Sequence, residues 1–219
     1  MNSQHGRPAA RALMRLVLAV ALAVSVSLAA CGGSGGGSDG GSDGAEPTAV
    51  DSRDYSNFSP EAAMLSVNDL PPGFTELERR PPALQGANVV QGTLYRFAGE
   101  GGIHYAYSEV VLLTVEAEPV AEESLRTMMR GLGFPDIRSA TVDDPEPDST
   151  LVVGVGGSDL LGLGGPADTD IVFEVLSFTE GRVIALVGTA YPVGAPREPS
   201  SEAIAKIVLD RIRAQTGGT

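Results

Sequence analysis

Residues 171–191 read IVFEVLSFTEGRVIALVGTAY, and this stretch decides the fold class. Val, Ile, Leu and Phe crowd both halves, the composition that fits a pleated surface with little room for water. Thr179-Glu180-Gly181 sits between them. The stretch predicts a β-hairpin with strands over 171–178 and 182–191. Downstream, Ser200 or Ser201 stands where a helix N-cap belongs. After it, Ile204, Ile207, Val208 and Ile212 recur at the spacing that lines one side of a helix.

Working back along the chain, the same order of elements occurs once more. Residues 88–97 and 103–116 are rich in Val, Thr, Tyr and Leu and flank Gly99-Glu100-Gly101-Gly102, which reads as a second hairpin. Pro119 then opens a helix in which Ala121, Leu125, Met128, Met129 and Leu132 share a side, and Gly133 stops it. Hairpins are antiparallel, and a helix with one apolar stripe has one face to bury. The expected architecture is α+β: an antiparallel sheet built from two strand-strand-helix units, with both helices packed on one face. Between the halves lie a strand over 137–142, an acidic turn over 143–149 and the Gly-rich segment 151–165. That segment reads either as a strand and a loop or as an ordered lid. Upstream, Ser59-Pro60-Glu61 starts a short helix. NDLPPGF at 68–74 ends it, a strand covers 75–79, and Pro81 and Pro82 stop the strand. Residues 59–219 thus form the expected single soluble domain, long enough to bury about two-thirds of its surface.

The NDLPPGF opening, the run Glu180-Gly181-Arg182-Val183-Ile184-Ala185-Leu186-Val187 and the closing amphipathic helix are similar to those of small secreted actinobacterial-type lipoproteins with a PsbP-like or LpqN-like α+β fold. The resemblance covers most of residues 59–214. It implies a non-enzymatic envelope protein that binds a partner or an apolar ligand, and it carries no catalytic residue across.

The amino-terminal segment is of another kind. Arg7, Arg11 and Arg15 precede residues 16–30, fifteen Leu, Val and Ala positions broken only by Ser25 and Ser27. Such a run fits a secretory signal, whose apolar core takes about 7 to 15 residues, better than a membrane span of about 20. Leu28-Ala29-Ala30-Cys31 closes it and resembles the lipobox of bacterial lipoprotein precursors. The resemblance implies a signal peptide over 1–30. It also implies a diacylglyceryl group on the Cys31 sulfur and, as in many members of that family, an acyl chain on the new amino terminus. Two or more chains would hold the protein stably at a bilayer, where one holds only marginally. No other cofactor is expected. Residues 32–47, GGSGGGSDGGSDGAEP, contain no apolar residue before Ala45 and cannot bury enough surface to offset ordering entropy. Residues 31–58 therefore read as a lipidated cysteine on a flexible tether, with a reach on the order of 25 to 30 Å.

Composition narrows the function. The chain has 15 Lys and Arg against 28 Asp and Glu, a net charge of −13. Loss of the three signal arginines leaves 12 basic residues and a net −16. A chain this acidic makes a poor nucleic-acid binder, since phosphate recognition rewards basic patches. Cys31 is the only cysteine, so neither a disulfide nor a thiolate metal site follows. Beyond the signal, His104 is the only histidine, read as a strand residue beside Tyr105 and Tyr107, which leaves a serine nucleophile without an evident base. Ser158 lacks a Gly-x-Ser-x-Gly elbow. Gly154, Gly156, Gly157, Ser158 and Asp159 allow close approach of backbone to a ligand and form the candidate binding surface, in a cleft between the sheet and the 151–165 loop. Asp143, Asp144 and Asp148, with Glu146, or Asp159 with Asp168 and Asp170, are oxygen donors of the kind Ca²⁺ takes. The function expected is that of a membrane-anchored extracytoplasmic lipoprotein, a binding or sensing module for an envelope partner or an apolar ligand. The competing readings are a carboxylate-based envelope hydrolase and a Ca²⁺-binding envelope protein.

Overall fold

A computed structural model describes residues 52–142, 149–162, 166 and 168–217. Within them the chain runs α1 (Pro60–Ala63), β1 (Thr75–Arg80), β2 (Val89–Ala98), β3 (Tyr105–Leu113), α2 (Glu122–Gly131), β4 (Asp136–Ala140), β5 (Thr150–Gly157), β6 (Asp170–Glu180), β7 (Val183–Pro192) and α3 (Ser201–Thr216). The strands form one antiparallel sheet in the order β1-β2-β3-β7-β6-β5-β4. Both expected hairpins are present. Gly181, at φ 57°, turns β6 into β7, where a side chain would be strained. The central ladder pairs β3 with β7, so the second strands of the two hairpins meet in the middle.

The α+β class and the antiparallel sheet are as expected, but the helices are not on one face. Val110, Leu112, Val183, Ala185 and Val187 pack with α1 and α3 on one side of the sheet. Tyr105, Tyr107, Ile184 and Leu186 pack with α2 on the other. The reason lies in the stretch quoted first: IVFEVLSF and VIALVGTA hardly alternate between polar and apolar residues, the mark of strands covered on both faces. Every residue of β3 from Tyr105 to Leu112 is buried, as is every residue of β7 from Val183 to Tyr191. A sheet apolar on two sides needs a helix on each. The order strand-strand-helix occurs twice along the chain, as β2-β3-α2 and β6-β7-α3 with β4 and β5 between them, but the two helices cover opposite faces.

Ser200 caps α3, its Oγ accepting from the Ala203 amide at 3.1 Å, and Gly217 closes the helix at φ 70°. The caps and the long apolar side of α3 thus agree with the sequence reading. The described part of segment 151–165 is a strand followed by a turn: β5 takes Thr150–Gly157, and a 3-10 turn takes Ser158–Leu161. Charged residues occupy both sheet edges, Glu76, Glu78, Arg79 and Arg80 on β1 and Asp136 and Arg138 on β4, which discourages pairing with another chain's strand.

Candidate ligand-binding cleft

On the α2 side the sheet does not close fully against its helix. β3 places Tyr105, Tyr107 and Glu109 on this face because they alternate with the core-facing Ala106, Ser108 and Val110. Leu94 of β2 and Leu186 of β7 flank Glu109 in register. Opposite Tyr107 in the ladder stands Gly188, where an added Cβ would come within 2.1 Å of the tyrosine ring. The missing side chain lets that ring lie across β7. Above this floor, Val120, Leu125, Met128 and Leu132 form a roof, and Ala83 and Leu84 wall one side. The cleft offers about 90 Å³, several times what one water needs.

The cleft holds one carboxyl, that of Glu109, which is 3% exposed. Its Oε1 accepts from the Leu84 amide at 2.7 Å. Burial pushes this carboxyl up to about 7, although the Leu84 and Ala83 amides and the charge of Arg80 pull it back. Burial also holds the Tyr107 phenol well above its ordinary value, with Glu109 and Tyr105 adding to the shift. At the β1–β2 side, Arg96 donates to Glu78 at 2.8 Å and to the Tyr105 hydroxyl at 2.9 Å. Its neighbour Arg80 lies 3.9 Å from Glu78, and its Nε is sealed from solvent with no hydrogen-bond partner.

The residues singled out by sequence lie elsewhere. Gly154, Gly156 and Gly157 are in β5, and the first two are overlain by the protein's own side chains: a Cβ on Gly154 would meet Phe134 at 3.0 Å, and one on Gly156 would meet Leu160 at 2.6 Å. Phe134 in turn stacks on Phe173, ring centroids 5.5 Å apart. Ser158 is buried and donates to the Pro166 carbonyl at 2.8 Å, while Asp159 is exposed. These positions adjoin the cleft through Phe134, Phe173 and Leu161 without lining it. Asp168 and Asp170 are exposed, and no three His, Cys, Asp or Glu side chains gather among the described residues. Asp143, Asp144, Glu146 and Asp148, and likewise Leu28, Ala29, Ala30 and Cys31, lie outside the described residues. His104 stands half-buried just before β3 rather than inside it. A second hollow of about 250 Å³ lies between α3 and Leu176 and Phe178, with Val142 and Ser149 in its lining.

Sequence reading missed Glu109, Arg80 and Tyr107. One signal was available: in YAYSEVVLL, Glu109 is the lone charge in a strand otherwise fit for burial, and a carboxylate is almost never buried without purpose-built partners.

No protein-family model matches the chain, and no curated protein matches it. Among solved structures it is similar to the extracellular domain of PknH from Mycobacterium tuberculosis, with 9% sequence identity, 72% of this chain and 97% of that one covered, and a TM-score of 0.47. No helix among the described residues is long and apolar enough to cross a membrane.

Proposed function

We propose that this protein is an extracytoplasmic binding or sensing module, tethered to a bilayer through acyl chains on Cys31, whose folded body holds an apolar ligand beneath α2. The observation that carries the reading is the cleft itself, walled by Leu84, Leu94, Val120, Leu125, Met128 and Leu186 around a single carboxyl. Sites that hold small apolar molecules have this make-up, many hydrophobic walls and few polar groups. Carboxylate-based hydrolysis calls for two acid groups facing one bond. The cleft offers one, which favours holding over turnover. An envelope protein that receives or reads the ligand is the partner this reading implies.

Photolysis with a diazirine-bearing hexadecanol tests the binding step. The label is expected within residues 120–132. Met128→Trp, which fills the cavity with an apolar ring, is expected to cut it by about fivefold, the effect of about 1 kcal/mol. Equal labelling of the variant, or label confined to other segments, would overturn the cleft reading. The anchor has its own test. Cys31→Ser is expected to abolish acylation and leave a longer, unprocessed chain, read by mass spectrometry. An unmodified Cys31 in the membrane-extracted natural protein would end that part of the proposal.

A further inference from the structure

We propose that the cleft takes a single-chain lipid acid, its alkyl chain under α2 and its carboxylate on the guanidinium of Arg80. The inference rests on the reading of the cleft as a ligand site and adds the chemistry of the ligand's head. Two cations line the cleft, and they differ in how well they are served. Arg96 has both Glu78 and the Tyr105 hydroxyl as acceptors. The Arg80 guanidinium has no hydrogen-bond partner among the described residues: it lies 3.9 Å from Glu78 and its charge acts on the Glu109 carboxyl, while its Nε is shut away from water. A donor in that state costs about 1–3 kcal/mol, so this guanidinium gains from turning toward an anion that enters the cleft. Its planar fork matches a carboxylate through two parallel N–H···O bonds.

The protein's own acids do not fill this role. Glu78 already serves Arg96, and the Glu109 carboxyl is taken up by the backbone amide of Leu84. Glu109 is also the group that would oppose an incoming acid when ionised. Its burial keeps it largely neutral below about pH 7, so an acid is best accepted at mildly acidic pH. A cationic head would face two guanidiniums, and a neutral head would leave Arg80 as it is. The apolar wall of Leu84, Leu94, Val120, Leu125, Met128 and Leu186 suits an alkyl chain.

The test compares three diazirine probes of equal chain length, a fatty acid, its alcohol and its amine. Each is photolysed at pH 6 with the full-length protein held in discs of neutral phospholipid. Labelling of residues 120–132 is expected to be about tenfold stronger with the acid than with the alcohol, the worth of one charge-assisted hydrogen bond. Arg80→Gln is expected to bring labelling by the acid down to that by the alcohol in the same variant, and a cooperative urea transition shows the variant to be folded. Arg80→Lys, which keeps the charge but not the fork, is expected to fall between. Equal labelling by acid and alcohol, strongest labelling by the amine, or an acid preference that survives Arg80→Gln would each overturn the proposal while leaving the cleft as a ligand site. Absence of label from 120–132 with all three probes would overturn both.

Discussion

Replacing Glu174 with Ala is expected to lower the stability of the folded domain by about 3 kcal/mol or more, the scale of breaking a buried ion pair by removing one partner. Glu174 lies in β6 on the α3 side and is 3% exposed. Its oxygens accept from Arg197 Nε at 2.5 Å and Nη2 at 2.7 Å, from the Tyr191 hydroxyl at 2.6 Å, and from Ser201 Oγ at 2.8 Å. These donors come from the end of β7, the linker after it and the first residue of α3, so one carboxylate ties the helix's start to the sheet. Its removal strands the Tyr191 hydroxyl, at about 1–3 kcal/mol for an unsatisfied group, and leaves Ser201 Oγ only the Glu202 carboxylate at 3.4 Å. Arg197 is affected less, since it is partly exposed and keeps Glu202 at 2.8 Å. Burial pushes the Glu174 carboxyl up, but the donors from Arg197, Tyr191 and Ser201 outweigh it and hold the group below the ordinary carboxylate range. Because the folded value is depressed, this stabilisation is present above the unfolded value and is lost as pH falls through the folded one. Urea unfolding at pH 7 and at progressively lower pH checks both statements. A wild-type-to-variant gap that stayed constant down to pH 3 would show that the carboxylate is not stabilised in its charged form.

The same residue shows how much of the fold was legible in the sequence. IVFEVLSF announced a strand through its β-branched and aromatic content, and the embedded Glu174 did not hide it, because propensity is a sum over the window. The two hairpins, the last helix and its serine cap were readable for similar local reasons. The side of the sheet on which each helix lies was not. That depends on whether both faces of β3 and β7 are apolar, a property of several strands together that no single helix stripe reports. The partners of Glu174 were also out of reach, since Arg197 is 23 residues away in sequence. The candidate site failed in a more instructive way. In the sequence Gly154 and Gly156 signal room for a ligand, and the room exists, but Phe134 and Leu160 occupy it. A glycine shows that something approaches the backbone without saying whether it belongs to the same chain. Conversely, the cleft beneath α2 is lined by Leu, Tyr, Met and Phe, residues that read as ordinary core, and a gap between core residues leaves no trace in sequence.

Glu109→Gln carries the opposite pH signature. The folded carboxyl titrates at about 7 against an ordinary value of 4.5. Between those two values the folded chain therefore holds a proton that the unfolded chain has released. Stability must then fall as pH rises through this window, with the full loss in place above it. At about 1.4 kcal/mol per pH unit the loss amounts to about 3 kcal/mol. Gln keeps an oxygen for the Leu84 amide and has no proton to lose, so the variant is expected to match the wild type near pH 4.5 and to exceed it by up to about 3 kcal/mol at pH 8. Taking the difference between the two chains cancels the repulsion within the rest of this acidic molecule. Urea midpoints at four or five pH values between 4.5 and 8 are sufficient, and a flat difference would mean that Glu109 ionises in the ordinary range and is wetter than its 3% exposure indicates. Glu109 is the one carboxyl that lines the cleft. On the reading of the cleft as a lipid-acid site, it makes acceptance of an anionic head depend on pH, and the stability curve and the labelling of residues 120–132 should then turn over at the same pH.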